Sequence, residues 1–398
     1  MITGEPACKN WWRSWLVEFA NMNLFIRLIA HRNRVVWHIP AWEANSIIVS
    51  RMKIIRVQEP CGPGMLIPME VDDPEPQDDE VVIQVMAIAV NTSDVIARKN
   101  FYPMFPQSCM GLECSGIIEK AGKNVRDWEI GNKVCAILSG GGYAEKVVVQ
   151  QWQLFVVPIE VSFPDAACLP HASCVVWSEL FMQRRLGPFF WLPDDGKKAR
   201  LSAGQTLLVH EDCNGTSNFA IHIAKRFNVT VIATYRSDDF RKHCDRVGVA
   251  ECMSQDAFLN GALTQRVDMI LNTLGPEHYQ KSLSNLKRDG IMISTTTCCS
   301  DTIDFAGSLP CVADKTQPYR RVIQAASLLC RSKEERELIV SEVTNNIWPS
   351  VTSFELFVHQ EYPFSKVVDA HRLMEAKGCG KIILVTDAYC ALTDGIVP

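Results

Sequence analysis

The apolar and polar positions change period along the chain. Residues Lys53–Gln58 alternate and stop at the turn cluster Cys61-Gly62-Pro63-Gly64. Glu80–Val90 is a longer apolar run, followed by Ser115–Lys120, Lys133–Ile137 and Ala144–Val149. Glycine-rich turns such as Ser139-Gly140-Gly141-Gly142 separate them. Short strands at close spacing predict a small β-barrel. At Pro164 the pattern becomes helical, and Asp165–Met182 is predicted as a helix. Gln205–His210 is then a short apolar run, Thr216–Phe227 a helical stretch and Thr230–Thr234 a strand, which together predict a βαβ unit. Val267–Leu271 and Ile291–Thr295 predict later parallel strands, since continuous apolar strands suit a sheet covered on both faces. Lys381–Thr386 predicts one last strand.

These patterns give an α/β chain with expected boundaries. Residues 1–51 are read as a poorly ordered extension and 52–171 as the barrel-forming part. Residues 172–315 form the βαβ domain, with a surface loop inserted at 187–200. Residues 316–387 return to the first domain, and 388–398 form a tail. Composition changes little in this picture. With 47% hydrophobic and 21% charged residues the chain is of ordinary globular type. A formal charge of -5 speaks against a binder of nucleic-acid backbone. The 16 cysteines include no C-x-x-C pair, which removes zinc-ribbon and thioredoxin-type readings and leaves buried free thiols in a reducing cytoplasm. No run of 18 apolar residues predicts a membrane span. The extension holds five of the ten tryptophans. Its Arg13, Arg27, Arg32 and Arg34 suit an organellar transit peptide, whereas Glu5, Glu18 and Glu43 oppose one, so a cytoplasmic location is expected first.

Several blocks carry a family resemblance. Asn91-Thr92-Ser93-Asp94, Gly111-Leu112-Glu113-Cys114-Ser115-Gly116, Gly131-Asn132-Lys133-Val134 and Leu138–Glu145 resemble the catalytic-domain blocks of medium-chain dehydrogenases/reductases. Trp177-Ser178 and Asp369–Glu375 add to the likeness. It is nearest to the zinc-independent quinone oxidoreductases related to zeta-crystallin and to the tumour-suppressor-inducible quinone reductase. The resemblance implies a GroES-like β-barrel catalytic domain, a Rossmann-type doubly wound cofactor domain, an NADPH-dependent reduction of a quinone or similar α,β-unsaturated carbonyl, and a homodimer. No metal is expected. A catalytic zinc needs about three nitrogen or sulfur ligands, yet Leu112 stands where zinc-dependent relatives carry a His. Only Cys135 lies between Trp128 and Tyr143, where a structural zinc would need four cysteines.

Without zinc, hydrogen-bond donors must stabilise the charge that builds on the carbonyl oxygen. The resemblance places Tyr102, Asn91 and Asp94 there; the plainer reading of Asn91 and Asp94 is that they fix the turn after their strand. For the cofactor, relatives carry a glycine-rich loop after the first strand of the βαβ unit, where this chain reads His210-Glu211-Asp212-Cys213-Asn214-Gly215-Thr216-Ser217. Only Gly215 remains, and two carboxylates stand beside the place of a dianionic ligand. One unit charge at ~4 Å costs roughly 4 kcal/mol at an effective dielectric of about 20, falling towards ~1 kcal/mol if the side chains turn to solvent. The expected cofactor contacts are Asn214, Gly215, Thr216 and Ser217 for the diphosphate. Arg236 and Ser237 would meet a 2′-phosphate, and Asn272, Gly275 and Thr296 stand toward the nicotinamide end. Phe240, Val175 and Thr296 replace a lysine, a threonine and a glycine of the family pattern. His210 and His371 are read as structural. Two other functions stay open beside quinone reduction: an enoyl or alkenal reductase, and a catalytically impaired pseudoenzyme acting as a scaffold or binding protein.

Overall fold

The computed structural model describes residues 28–31, 34–37, 50–57, 61–100, 110–182, 200–212, 214–273, 279–295, 321–324, 328–376 and 380–394. The expectations placed on Tyr102, Gly275, Thr296 and the loop 187–200 lie outside these residues, apart from Arg200, as does most of the N-terminal extension. The chain divides into two units, Met1–Ser50 and Arg51–Pro398. In the first, β1 (Leu28–His31) and β2 (Arg34–Trp37) pair as an antiparallel hairpin.

The second unit opens with an antiparallel pair, β3 (Arg51–Arg56) and β4 (Ile67–Asp72). Its barrel sheet contains β5 (Glu80–Val90), β6 (Glu113–Ala121), β7 (Lys133–Ile137), β8 (Lys146–Gln150) and β9 (Leu154–Val156). Strand β5 is at the centre because its apolar run lets it be covered on both faces: nine of its 11 residues are buried. It pairs with β6 along one edge and with β8 by a separate antiparallel ladder. Ile55, Val81, Ile83, Ile118, Val134 and Leu384 are among the side chains that fill the barrel core.

The parallel sheet contains β10 (Thr206–His210), β11 (Thr230–Tyr235), β12 (Glu251–Ser254), β13 (Val267–Asn272), β14 (Leu286–Ser294) and β15 (Arg321–Gln324). Its order is β12-β11-β10-β13-β14-β15, and each neighbouring pair is parallel. Order therefore reverses between β10 and β13, which is the doubly wound Rossmann arrangement with its ligand crevice outside the carboxyl ends of those strands. One face packs Leu207, Val209 and Val231 against helix Thr216–Arg226, helix Asp238–Val247 and helix Lys333–Asn346. The other packs Leu208, Ile232 and Ile270 against Phe258 and Leu283. The chain then returns to the barrel through β16 (Val358–Pro363) and β17 (Lys381–Val385), with β17 antiparallel to β5.

Two features differ from the sequence expectation. The predicted helix over 165–182 is in fact Phe163–Ala167 and Leu169–Val176 followed by a π-turn, Trp177–Phe181. Pro170, lacking an N–H, sits in the first turn of the second piece and starts it afresh. The boundary expected at 315 falls before the parallel sheet ends, since β15 is its sixth strand.

Candidate active site

Strand β5 delivers Asn91 to the barrel rim, where the chain turns into helix Thr92–Asn100. Asp94, in the first turn of that helix, holds the corner. Its carboxylate accepts the Asn91 N–H at 2.7 Å and the Gly111 N–H at 2.8 Å. It therefore ties the helix start to Gly111, two residues before β6. Burial pushes the Asp94 carboxyl up to about 7, against the pull of those two amides and of Lys381. Gly111 is required there: its φ is +84°, and a Cβ would stand 2.5 Å from the Tyr143 nitrogen.

The residues that matter most at this rim were not singled out from the sequence. Lys381 begins β17 and is 1% exposed; Glu113 begins β6 and is 0% exposed. Their charges meet at 2.6 Å. The Lys381 ammonium also donates to the Asn91 side-chain oxygen at 2.7 Å and to the Asn214 carbonyl at 2.9 Å. Asn91 donates its amide to Glu113 at 3.1 Å, and the His171 N–H donates to the other Glu113 oxygen at 2.8 Å. Burial drives the His171 ring down to about 4. A signal for Lys381 was present, since it is a charge at the head of an otherwise apolar strand. Glu113 lay inside a quoted block but was not given a role.

These contacts settle where two of the expected carbonyl-binding groups point. The Asn91 amide is directed at Glu113 and, at 3.4 Å, at the Ala89 carbonyl. Asp94 is bonded to backbone on both oxygens. Asp94 thus braces the turn, while the Asn91 side chain bonds across the rim to Glu113 and Lys381.

His371 belongs to a separate buried group. Its Nε2 meets the Tyr143 hydroxyl at 2.9 Å and its Nδ1 meets Arg98 at 3.5 Å, while Arg98 pairs with Glu375. Burial, and then the Arg98 charge, lowers its ring to about 3, so it is a neutral hydrogen-bonding link.

Across the rim lies the loop after β10. Asn214 accepts hydrogen bonds on its side-chain oxygen from the Thr92 N–H at 2.8 Å and the Thr92 hydroxyl at 2.9 Å. With the Lys381 bond to its carbonyl, this residue fastens the loop to the barrel. Gly215 follows at φ +74° and caps helix Thr216–Arg226; a Cβ there would meet only the Lys381 Cδ, at 3.7 Å. The Ser217 hydroxyl donates to Asp212 at 3.2 Å and accepts the Asp212 N–H. Burial raises the Asp212 carboxyl, with Lys381 pulling the other way.

Glu211 is the departure from expectation. Rather than lying beside the diphosphate or in solvent, it reaches across to the carboxyl end of β11. There its carboxylate accepts the backbone N–H of Arg236, the N–H of Ser237 at 3.0 Å and the Ser237 hydroxyl at 2.7 Å. Ser237 caps helix Asp238–Val247, accepting the Phe240 N–H. His210 is buried, with Nδ1 against the Thr234 hydroxyl at 2.8 Å. Asn272 is buried at the end of β13, its carbonyl accepting the Thr295 N–H at 3.0 Å. Leu112 is buried, and among the described residues no group of three or more His, Cys, Asp and Glu side chains is arranged to hold a metal ion.

Comparison with known proteins agrees with this architecture. Residues 77–159 match the alcohol dehydrogenase GroES-like domain, and residues 229–384 match the zinc-binding dehydrogenase family. The synaptic vesicle membrane protein VAT-1 homolog-like of Mus musculus is 28% identical over 227 residues, covering 55% of this chain and 50% of that protein. The chain thus spans about half the length of that relative. The quinone oxidoreductase of Homo sapiens is 23% identical over 347 residues, covering 84% of this chain and 98% of its own. The Escherichia coli quinone oxidoreductase solved with NADPH superposes with a TM-score of 0.67 at 19% identity, over 84% of this chain and 99% of that one. Two matched domain families on a barrel and a doubly wound sheet, in the same order along the sequence, place the chain in the medium-chain dehydrogenase/reductase superfamily, in its quinone oxidoreductase-like family.

Proposed function

We propose that this chain is a zinc-independent, nicotinamide-dependent reductase of a quinone or similar α,β-unsaturated carbonyl. The observation that carries the reading is the head of helix Thr216–Arg226, begun by Gly215, beside the point where the strand order reverses. A helix N-terminus at that crevice suits a dinucleotide diphosphate. Asn214, Gly215, Thr216 and Ser217 would hold it. Arg236 and Ser237 stand at the end of β11, where the adenosine ribose of NADPH would lie. Asn272, Gly275 and Thr296 would line the nicotinamide end. Such a cofactor supplies the hydride when bound.

Negative charge then builds on the substrate oxygen, and a fixed donor lowers the barrier. We assign that donor to Tyr102. Asn91 and Asp94 act as positioning residues, because their polar atoms are spent on Glu113, Lys381 and backbone. A homodimer in the cytoplasm is the expected setting. Among the described residues no helix is long and apolar enough to cross a membrane.

Titration of the full chain with NADPH, followed by nucleotide fluorescence, tests the reading. Saturable binding of NADPH, or of NADH in a parallel titration, is expected, and the absence of both at millimolar nucleotide sinks it. Turnover on a panel of quinones and alkenals with Tyr102→Phe then tests the donor: unchanged turnover removes Tyr102 from the site, and faster alkenal than quinone reduction moves the assignment to an alkenal reductase. A second reading, a catalytically impaired binding protein, is favoured by one feature, the carboxylate of Glu211 on the amides at the end of β11.

A further inference from the structure

Glu211 follows the last residue of β10, yet its side chain ends at the neighbouring strand. Its backbone N–H continues the ladder, donating to the Thr234 carbonyl at 2.9 Å, which fixes where the side chain starts. From there the carboxylate gathers the Arg236 and Ser237 amides and the Ser237 hydroxyl, and the residue is 1% exposed. The last two of those donors come from the cap of helix Asp238–Val247, a ten-residue helix whose N-terminus favours an anion. An anion is therefore already seated there, and it is supplied by the chain.

In a doubly wound sheet the end of the second strand is where a dinucleotide's adenosine ribose docks. An acidic group at that point hydrogen-bonds a free 2′-hydroxyl, whereas a 2′-phosphate needs amides, hydroxyls and cations. Here the acid comes from the first loop instead of from the end of β11, which carries Tyr235-Arg236-Ser237. The two amides and the hydroxyl that a 2′-phosphate would use are those that Glu211 holds. Resting on the reductase reading, we infer that Glu211 is a selectivity residue: it occupies the 2′-phosphate seat, and NADPH docks only by displacing it, whereas NADH leaves it in place. Glu211 thus opposes the preference for NADPH that Arg236 confers, and the balance between the two sets cofactor choice.

The test is binding of two fragment pairs, NADPH against NADH and adenosine 2′,5′-bisphosphate against 5′-AMP, measured by fluorescence and calorimetry on the full chain. Glu211→Gln keeps an acceptor for the amides but removes the charge. It is expected to tighten NADPH and the bisphosphate at least tenfold, about 1.4 kcal/mol, while NADH and AMP change by less than threefold. Glu211→Asp keeps the charge but shortens its reach, and is expected to move the same way; it also serves if the first variant does not fold. If NADH binds but neither substitution improves NADPH over NADH, the role given to Glu211 is wrong and the reductase reading stands. If parent and variants alike bind none of the four at millimolar concentration, the reductase reading fails and this inference with it.

Discussion

A buried charge is stable only in company, and Lys381 shows how much one residue can organise. Its ammonium satisfies Glu113, the Asn91 side chain and the Asn214 carbonyl together. Breaking such a pair strands the partner, whereas replacing both with neutral groups of like shape costs far less. Lys381→Met is therefore expected to destabilise the chain by about 3–5 kcal/mol in urea denaturation, with Glu113→Gln in the same chain recovering more than half. A loss below ~1 kcal/mol in the single variant would mean that the pair does not hold the rim. His371 makes the pH case. Its ring is held near 3, below the ordinary value of 6.5, so the unfolded chain binds a proton that the folded one refuses. Stability from this group is present above about pH 6.5 and is lost as pH falls toward 3. His171, held near 4, acts with the same sign. Replacing His371 by Gln is expected to flatten the acid limb of stability against pH by up to one proton, about 1.4 kcal/mol per pH unit; an unchanged slope between pH 4 and 6 would reject it.

At the scale of elements, two glycines that look alike in sequence do different work. Gly111 and Gly215 both have positive φ. A Cβ on Gly111 would run into the backbone of Gly142 and Tyr143, which cannot give way, while one on Gly215 meets only the flexible Lys381 chain. Gly215→Ala is expected to cost about 1–2 kcal/mol, the left-handed strain alone. Gly111→Ala is expected to cost clearly more, because backbone must shift as well. Equal losses in chemical denaturation would show that the contact at Gly111 relaxes freely. The strands were legible where their apolar runs were long: Glu80–Val90 and Lys133–Ile137 have the expected bounds. Short or polar ones such as Ile67–Asp72, Glu251–Ser254 and Arg321–Gln324 were not, since pairing with a neighbour rather than their own pattern makes them strands.

Across the whole second unit, the barrel and the parallel sheet are joined at the loop after β10, where Asn214 takes three hydrogen bonds from Thr92 and Lys381. The two Thr92 bonds depend on the Asn214 side chain. Asn214→Ala is expected to lower global stability by about 1–2 kcal/mol and to speed amide exchange in residues 211–216 more than in strand β10. Uniform exchange across both would show that the loop is not held by the barrel. Such a join also couples domain packing to loop shape, so a ligand entering the crevice must work against it or use it.

The sequence by itself determined the class of fold, because strand and helix periods and the glycine-rich turns are local properties that survive without tertiary context. It also identified the superfamily blocks. What it could not determine is where long side chains end. Glu211 was read as a neighbour of the diphosphate because sequence gives only its root on β10. Its destination at Ser237 depends on the register of β10 against β11. Asn91 was read either as a donor to substrate or as a residue that fixes the turn, and sequence could not show that Glu113 and Lys381 arrive from distant strands to bond its side chain. Pairings of this kind join residues 22 to 290 positions apart. They form only when sheet topology brings the strand ends together, which no local pattern encodes.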